Sequence, residues 1–178
     1  MSRTEILISG YGGQGVVRLG QILGQAAVNE GLFTTMLISH GTETRGGYVR
    51  SQVVISDRFI DSPVVECPDF FCALSGVAYG RFKGLCTSES AILYDPGQVE
   101  PDDSVAARHL AVPAEAAGRE QLGNELFANV IMLGALSGQL PLISTGSIVR
   151  ALYERIPRFP EKNLQAFNIG WAMLADAR

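Results

Sequence analysis

The 178-residue chain has little of what metal binding requires. It has three cysteines and two histidines and no C-x-x-C pair, so it cannot by itself ligate an iron–sulfur cluster or a structural zinc. The cysteines, Cys67, Cys72 and Cys86, are odd in number and scattered, which predicts free thiols in a reducing cytoplasm.

Basic clusters and long apolar runs are also missing. The formal net charge is -4, which argues against a nucleic-acid or anionic-membrane partner, because phosphate neutralisation needs clustered Lys and Arg. The longest dense apolar stretch, Ala128 to Leu136, is far too short to span a bilayer, and the N-terminus lacks a signal-peptide pattern. What is present is 47% hydrophobic residues and a mean hydropathy of +0.17. These values predict a globular domain with some apolar surface buried against partners.

A glycine-rich stretch, Gly10 to Gly15 (GYGGQG), directly follows the apolar run Ile6 to Ile8. Its G-x-G-x-x-G spacing is typical of a strand–loop–helix phosphate cradle. A dinucleotide site also needs an Asp or Glu about 20 residues on, at the end of the second strand. Here no carboxylate occurs there before Glu43. Three interpretations stay open: an NAD(P) site, a tight turn with close helix–strand packing, or an anion- or backbone-recognition site within a larger assembly.

The apolar patterns predict a single domain over residues 1–178, with a Rossmann-like α/β fold: a mixed sheet with flanking helices and a helical C-terminal part. Predicted strands cover residues 5–9, 33–39, 48–55, 70–74, 91–94 and 110–112. Predicted helices cover residues 16–30, 76–82, 125–136, 144–155 and the segment from Pro160 onward. The strand at 48–55 is expected to pair with residues 58–60 in an antiparallel hairpin. In the last helix, Leu164, Phe167, Trp171 and Leu174 are expected to share one core-facing side.

A second polar loop, His40 to Gly47 (HGTETRGG), follows the predicted strand at 33–39. If that strand is parallel to the first, the loop lies at the same sheet edge as the glycine stretch, where open α/β sheets bind ligands. Arg45 could hold a carboxylate or phosphate bidentately, oriented by Glu43. The alternative is a solvated turn with a surface ion pair. Neither His40 nor His109 has a recognisable triad partner, so the residues indicate a binding or accessory domain and not a complete enzyme.

Several motifs, in order along the chain, resemble the gamma subunit of the 2-oxoacid:ferredoxin oxidoreductases. They are the glycine stretch with Val16, Glu43 before Arg45-Gly46-Gly47, Ile55-Ser56-Asp57, Ile60-Asp61-Ser62-Pro63, Pro68-Asp69 before residues 70–74, and residues 163–167 (NLQAF). The resemblance covers residues 6–171, nearly the whole chain.

This resemblance implies a multi-subunit enzyme that oxidatively decarboxylates a 2-oxoacid with coenzyme A and passes electrons through iron–sulfur clusters to ferredoxin. Thiamine diphosphate, magnesium and the clusters are then expected on alpha and beta subunits, with a possible ferredoxin-like delta subunit. This chain would bind no cofactor alone and would be inactive alone, with no catalytic residue and no metal ligand of its own. The residues expected to face coenzyme A or a subunit interface are Gly12, Gly13, Gln14, Gly15, Glu43, Arg45, Gly46 and Gly47.

The second loop also bears on the substrate. Ser39 to Gly47 is most similar to the Ser-Tyr-Gly-Pro-Glu-x-Arg-Gly-Gly pattern of the 2-oxoglutarate members, but has His40 for Tyr and Thr42 for Pro. These departures leave branched-chain 2-oxoacids and pyruvate open, and the indolepyruvate oxidoreductases share the glycine stretch and Arg-Gly-Gly. A free-standing NAD(P)-dependent oxidoreductase and a purely structural scaffold subunit are the alternatives.

Overall fold

Strands and helices alternate along most of the chain in the computed structural model, which describes residues 2–42 and 47–177. Within these residues the strands are β1 (Arg3–Gly10), β2 (Phe33–His40), β3 (Val49–Ser56), β4 (Phe70–Ala73), β5 (Ala91–Tyr94) and β6 (Arg108–Ala111). The helices are α1 (Val16–Asn29), α2 (Gly76–Phe82), α3 (Ala114–Leu122), α4 (Ala128–Ser137), α5 (Thr145–Arg155) and α6 (Pro160–Met173), with 3₁₀ turns at Lys83–Leu85 and Glu125–Phe127. None of the described helices is both long and apolar enough to cross a membrane.

The strands form one mixed sheet in the order β2-β3-β1-β4-β5-β6. Strands β1, β4, β5 and β6 are parallel, and β3 runs antiparallel to both of its neighbours, β1 and β2. Gly10 and His40 both pair with Val49, on opposite sides of β3. The carboxyl ends of β1 and β2 therefore lie at one sheet edge, as expected, but a whole strand separates them.

The predicted antiparallel partner of β3, residues 58–60, is wrong. Residues 58–60 are not a strand; β3 instead pairs along all eight of its residues with β1 on one side and β2 on the other. The physical reason is hydrogen-bond satisfaction, because a three-residue return strand cannot pair all the N–H and C=O groups that two full-length neighbours pair. Just after β3, Asp57 N–H donates to the Ser2 carbonyl, and Ile60 turns into the core.

Two apolar cores lie on opposite faces of the sheet. The larger contains residues of α1 and of α3 to α6, and the smaller contains residues of α2 and the loop after β3. Alternation along β3 sends Val53 and Ile55 into the larger core and Val54 into the smaller one. Both faces of β3 are therefore buried, because successive side chains of a strand point to opposite faces of the sheet.

Helices α4 and α6 touch backbone to backbone through two glycines. A Cβ at Gly134 would overlap the Phe167 carbonyl oxygen, and a Cβ at Gly170 would overlap the Ile131 carbonyl oxygen. This close crossing corrects the predicted face of α6. Its buried residues are Asn163, Ala166, Phe167 and Gly170, with Leu174 just beyond the helix, whereas Leu164 and Trp171 are only half-buried. Small residues decide the contact face because they let the helix axes approach.

Replacing either glycine of this crossing should destabilise the fold. Gly134→Ala and Gly170→Ala each force backbone atoms apart, so we expect the free energy of unfolding to fall by about 3 kcal/mol or more. Denaturant titration followed by circular dichroism measures it. Gly80→Ala in α2 is the matched control: no atom lies within 4 Å of its added Cβ, and alanine there should be neutral or slightly stabilising. Equal unfolding midpoints for all three variants would contradict the crossing.

Candidate functional site

The glycine stretch forms the turn between β1 and the N-terminus of α1. Gly13 and Gly15 have φ of 90° and 80°, a left-handed conformation that side chains disfavour. A Cβ at Gly15 would also overlap the Asn129 side chain, which comes from α4. Gly12 differs, because it is exposed, has no positive φ and would meet no atom within 4 Å if it carried a Cβ. The fold of this chain therefore does not itself require glycine at position 12.

Gln14 fastens the turn to the neighbouring strand. Its Oε1 accepts from Tyr11 N–H at 2.7 Å and its Nε2 donates to the Leu74 carbonyl, just after β4, at 2.8 Å. A Cβ at Gly10 would collide with this side chain. Gln14 thus spans the gap between the ends of β1 and β4, whose following helices lie on opposite faces of the sheet. That gap is the crevice in which open α/β sheets bind ligands, and here a side chain of the protein occupies it.

The position of β2 disfavours a dinucleotide site. In the Rossmann arrangement the ribose-binding carboxylate ends a strand beside the glycine loop. Here β3 lies between β1 and β2, and the described residues at the end of β2, His40 to Thr42, carry no carboxylate. The ribose contact that defines the NAD(P) interpretation therefore has no counterpart among the described residues next to the glycine turn.

A cleft of about 530 Å³ opens on the α1 side of the turn. It is lined by Gly12, Gly13, Gly15, the first turn of α1 including Arg18, and Gln21, His40 and Val49. Helix α1 has no side-chain cap and no acidic residue in its first turn, so its free N–H groups and the positive end of its dipole remain available. Arg18 lines the cleft, and its guanidinium donates to the Arg155 carbonyl at 2.7 Å. This combination suits an anion such as a phosphate.

A second pocket, of about 200 Å³, opens on the other side of the turn. Apolar and acidic residues share its lining: Leu74, Ala114, Leu126, Ala128 and Met132 with Asp95, Glu115 and Glu125. Leu126 at its rim is 76% exposed. Asp95 is engaged within the chain, because its carboxylate accepts from Gly97 and Glu115 N–H groups. The acidic lining disfavours an anion, and the apolar rim is typical of an interface.

The second predicted loop begins and ends beside the cleft. Glu43, Arg45 and Gly46 lie outside the described residues. Of the flanking positions, Gly41 N–H donates to the Tyr48 carbonyl at 2.7 Å, and Gly47 is half-buried. Because His40 and Val49 line the cleft, the structure brings both ends of this loop to the glycine turn. The roles of Glu43 to Gly47 stay predictions.

Arg18 and Gln21 are cleft residues that the sequence reasoning missed. Only their position in the sequence could have indicated them. Both lie within the first one and a half turns of the helix that follows the glycine stretch, outside the apolar face of that helix. Asn129, which comes from α4, packs on Gly15. His109 is not at this edge, since its Nε2 lies 2.9 Å from the Tyr79 hydroxyl, in the smaller-core layer. In the part of the chain that is described, no three metal-ligating side chains converge.

The fold and this edge together define an α/β domain with a cleft that suits an anion. Residues 5–173 match the profile of the pyruvate ferredoxin/flavodoxin oxidoreductase family. The chain belongs to this family, and the predicted resemblance is confirmed.

Three similar proteins illustrate the relationship. The chain is 36% identical to 2-oxoglutarate synthase subunit KorC of Methanothermobacter thermautotrophicus, over 98% of this chain and 96% of the relative. A keto/oxoacid ferredoxin oxidoreductase gamma subunit from Geobacter sulfurreducens superposes with a TM-score of 0.86 at 29% identity, covering 98% and 99% of the two chains. The 2-oxoglutarate:ferredoxin oxidoreductase from Magnetococcus marinus, solved with 2-oxoglutarate, coenzyme A and succinyl-CoA, gives 0.89 at 26% identity. The match covers 100% of this chain and 32% of the Magnetococcus marinus chain.

Removing the Gln14 bridge should loosen the turn. Gln14→Leu keeps a similar volume but leaves Tyr11 N–H and the Leu74 carbonyl without this partner, so we expect the free energy of unfolding to fall by about 1–3 kcal/mol. Hydrogen exchange at Tyr11 should accelerate as well. Gln165→Leu, at an exposed position of α6, is the matched control and should change neither quantity. Unaltered exchange at Tyr11 in Gln14→Leu would show that the bridge does not hold the turn.

Proposed function

We propose that this chain is the gamma subunit of a 2-oxoacid:ferredoxin oxidoreductase, and that it supports coenzyme A-dependent oxidative decarboxylation of a 2-oxoacid to an acyl-CoA. The observation that carries the proposal is the open cleft beside Gly12, where exposed glycine backbone, the free N-terminus of α1 and Arg18 face one space. Full-length similarity to a 2-oxoglutarate synthase subunit supports the reaction class.

The cleft fits the phosphate-bearing part of coenzyme A. Its lining offers backbone N–H donors and one guanidinium, which suit a pyrophosphate. The pocket across the glycine turn is acidic and apolar, so phosphates are expected on the α1 side. Arg45, on the loop that begins and ends at the cleft, would add a second cation. In this arrangement Gly12 is glycine because the ligand approaches its backbone, and Gly13 and Gly15 keep the turn in shape.

The other cofactors are proposed to lie on partner subunits. This chain's thiols do not fit a cluster, since Cys72 is fully buried in the larger core whereas Cys86 packs against the smaller one. Burial raises the pKa of the Cys72 thiol to about 12, which disfavours the thiolate that a metal needs. Thiamine diphosphate, magnesium and iron–sulfur clusters are therefore assigned to alpha and beta subunits, with a ferredoxin-like delta subunit as a further candidate and ferredoxin as the acceptor.

The proposed substrate is 2-oxoglutarate. Residues 39–47 are similar to the pattern of the 2-oxoglutarate members, and the full-length relative from Methanothermobacter thermautotrophicus carries that name. His40, where that pattern has Tyr, ends β2 at the cleft and is exposed. Pyruvate and branched-chain 2-oxoacids are the competing substrates, because His40 and Thr42 depart from the pattern.

Copurification from the native host tests the assembly. We expect the chain to elute with thiamine-dependent and cluster-bearing partners, and the complex to reduce ferredoxin with 2-oxoglutarate at a higher kcat/KM than with pyruvate or 2-oxoisovalerate. The isolated chain should be inactive. Recovery as a stable lone protein that binds NADH with micromolar affinity would favour the free-standing NAD(P) enzyme instead.

Substitutions at the cleft test the coenzyme A contact in the assembled complex. Arg18→Ala and Arg45→Ala should each raise the KM for coenzyme A about tenfold, the effect of losing one charge-assisted hydrogen bond. Gly12→Val should raise the same KM by filling the approach to the backbone. Its free energy of unfolding should stay within about 0.5 kcal/mol of the parent, as for most surface substitutions.

Arg58→Ala is the matched control, since Arg58 is exposed just after β3, at the opposite edge of the sheet. It should leave the KM for coenzyme A unchanged. If Arg18→Ala, Arg45→Ala and Gly12→Val all behave like Arg58→Ala, the chain is a structural scaffold and the cleft does not meet coenzyme A.

A further inference from the structure

Two of the cysteines lie at the edge of the sheet opposite the glycine turn. Cys67 is exposed and shortly precedes β4, whereas Cys86 follows the 3₁₀ turn before β5 and is half-buried against the smaller core. Strands β4 and β5 are parallel neighbours whose first residues, Phe70 and Ala91, pair with each other. The segments that lead into the two strands therefore lie side by side.

Ser90 joins these segments by hydrogen bonds. Its hydroxyl donates to the Pro68 carbonyl at 2.6 Å and accepts from Thr87 N–H at 3.0 Å. The Cys67 sulfur lies 3.8 Å from Thr87 Oγ1. Because Pro68 follows Cys67 and Thr87 follows Cys86, both cysteines are one residue from the same Ser90-centred contact.

The electrostatic surroundings of Cys86 include Cys67. Burial, and to a lesser extent the charge of Cys67, raise the pKa of the Cys86 thiol to about 11, against a hydrogen bond from Ser90. Cys72 is different, because it is fully buried within β4 and belongs to the larger core. The pair at this edge thus combines one accessible thiol with one shielded thiol.

We propose that Cys67 and Cys86 are a redox modification site that forms a reversible intrachain disulfide. Cys67, the exposed thiol, reacts first with a low-molecular-weight disulfide such as glutathione disulfide. Its thiolate attacks one sulfur, forms a mixed disulfide and releases one glutathione thiolate. The Cys86 thiolate then attacks the Cys67 sulfur and releases the second glutathione. The two cysteine protons end on the two glutathione thiols, so the net reaction consumes one glutathione disulfide.

The disulfide would link the two segments that Ser90 already holds together. It lies at the amino edge of the parallel strands, whereas the glycine turn and its cleft lie at the carboxyl edge. Oxidation is therefore expected to leave the KM for coenzyme A unchanged. The modification site and the proposed function can accordingly fail or succeed independently.

Peptide mapping of the oxidised full chain tests the site. The reduced chain is incubated with glutathione disulfide without oxygen, alkylated with iodoacetamide and digested without reduction. We expect one linked pair of peptides that contains Cys67 and Cys86, lighter by two hydrogens than the separate thiols and restored by dithiothreitol.

Two serine variants separate the steps. Cys86→Ser should stop at a mixed disulfide of Cys67 with glutathione. Cys67→Ser should react at least about tenfold more slowly, because the remaining thiol is shielded and has a raised pKa. In every sample the buried Cys72 stays unalkylated while the chain is folded, so misfolding is distinguishable from loss of the site. Accumulation of the mixed disulfide in the parent chain, or disulfide-linked dimers in place of the intrachain bond, would overturn the proposal.

Discussion

Strand β3, hydrogen-bonded along its whole length between β1 and β2, is the constraint on which the rest of the structure depends. Its eight residues pair on both sides, so it satisfies the inner edges of two strands that would otherwise be exposed. It also brings the carboxyl ends of β1 and β2 to one edge with a strand between them. The glycine turn, His40 and Val49 therefore line a shared cleft, whereas the described residues at the end of β2 carry no carboxylate that could complete a dinucleotide site.

Within the glycine turn, Gly12 differs from the three residues that follow it. Gly13 and Gly15 hold a backbone conformation that other residues disfavour, and Gln14 binds the turn to the end of β4. The fold of this chain does not require glycine at position 12 in the same way. The contacts thus divide the motif into residues that shape the turn and one residue, Gly12, whose backbone stays accessible. That accessible backbone is the physical basis of the proposed coenzyme A contact.

The elements with strong local signals could be predicted, and those decided by distant partners could not. The run Ile6 to Ile8, the helix after it and the helix from Thr145 all formed close to their predicted positions. The hairpin prediction was wrong because a strand pairs with the neighbours that satisfy most of its backbone hydrogen-bonding groups. The contact face of α6 was misjudged because side-chain size suggested Leu164 and Trp171, whereas the crossing with α4 depends on Gly134 and Gly170. Arg18 was missed because an arginine on an exposed helical turn has no distinctive pattern.

The sequence by itself determined the α/β class, the glycine turn, the position of most elements and the family, because local conformational preference and ordered motifs are written in neighbouring residues. Only the tertiary structure decided which strands pair, which faces pack and which cleft combines Gly12 with Arg18 and His40. It also placed the segments that contain Cys67 and Cys86 side by side. These features join residues far apart along the chain, and their geometry is set by hydrogen-bond satisfaction and close packing across the whole sheet.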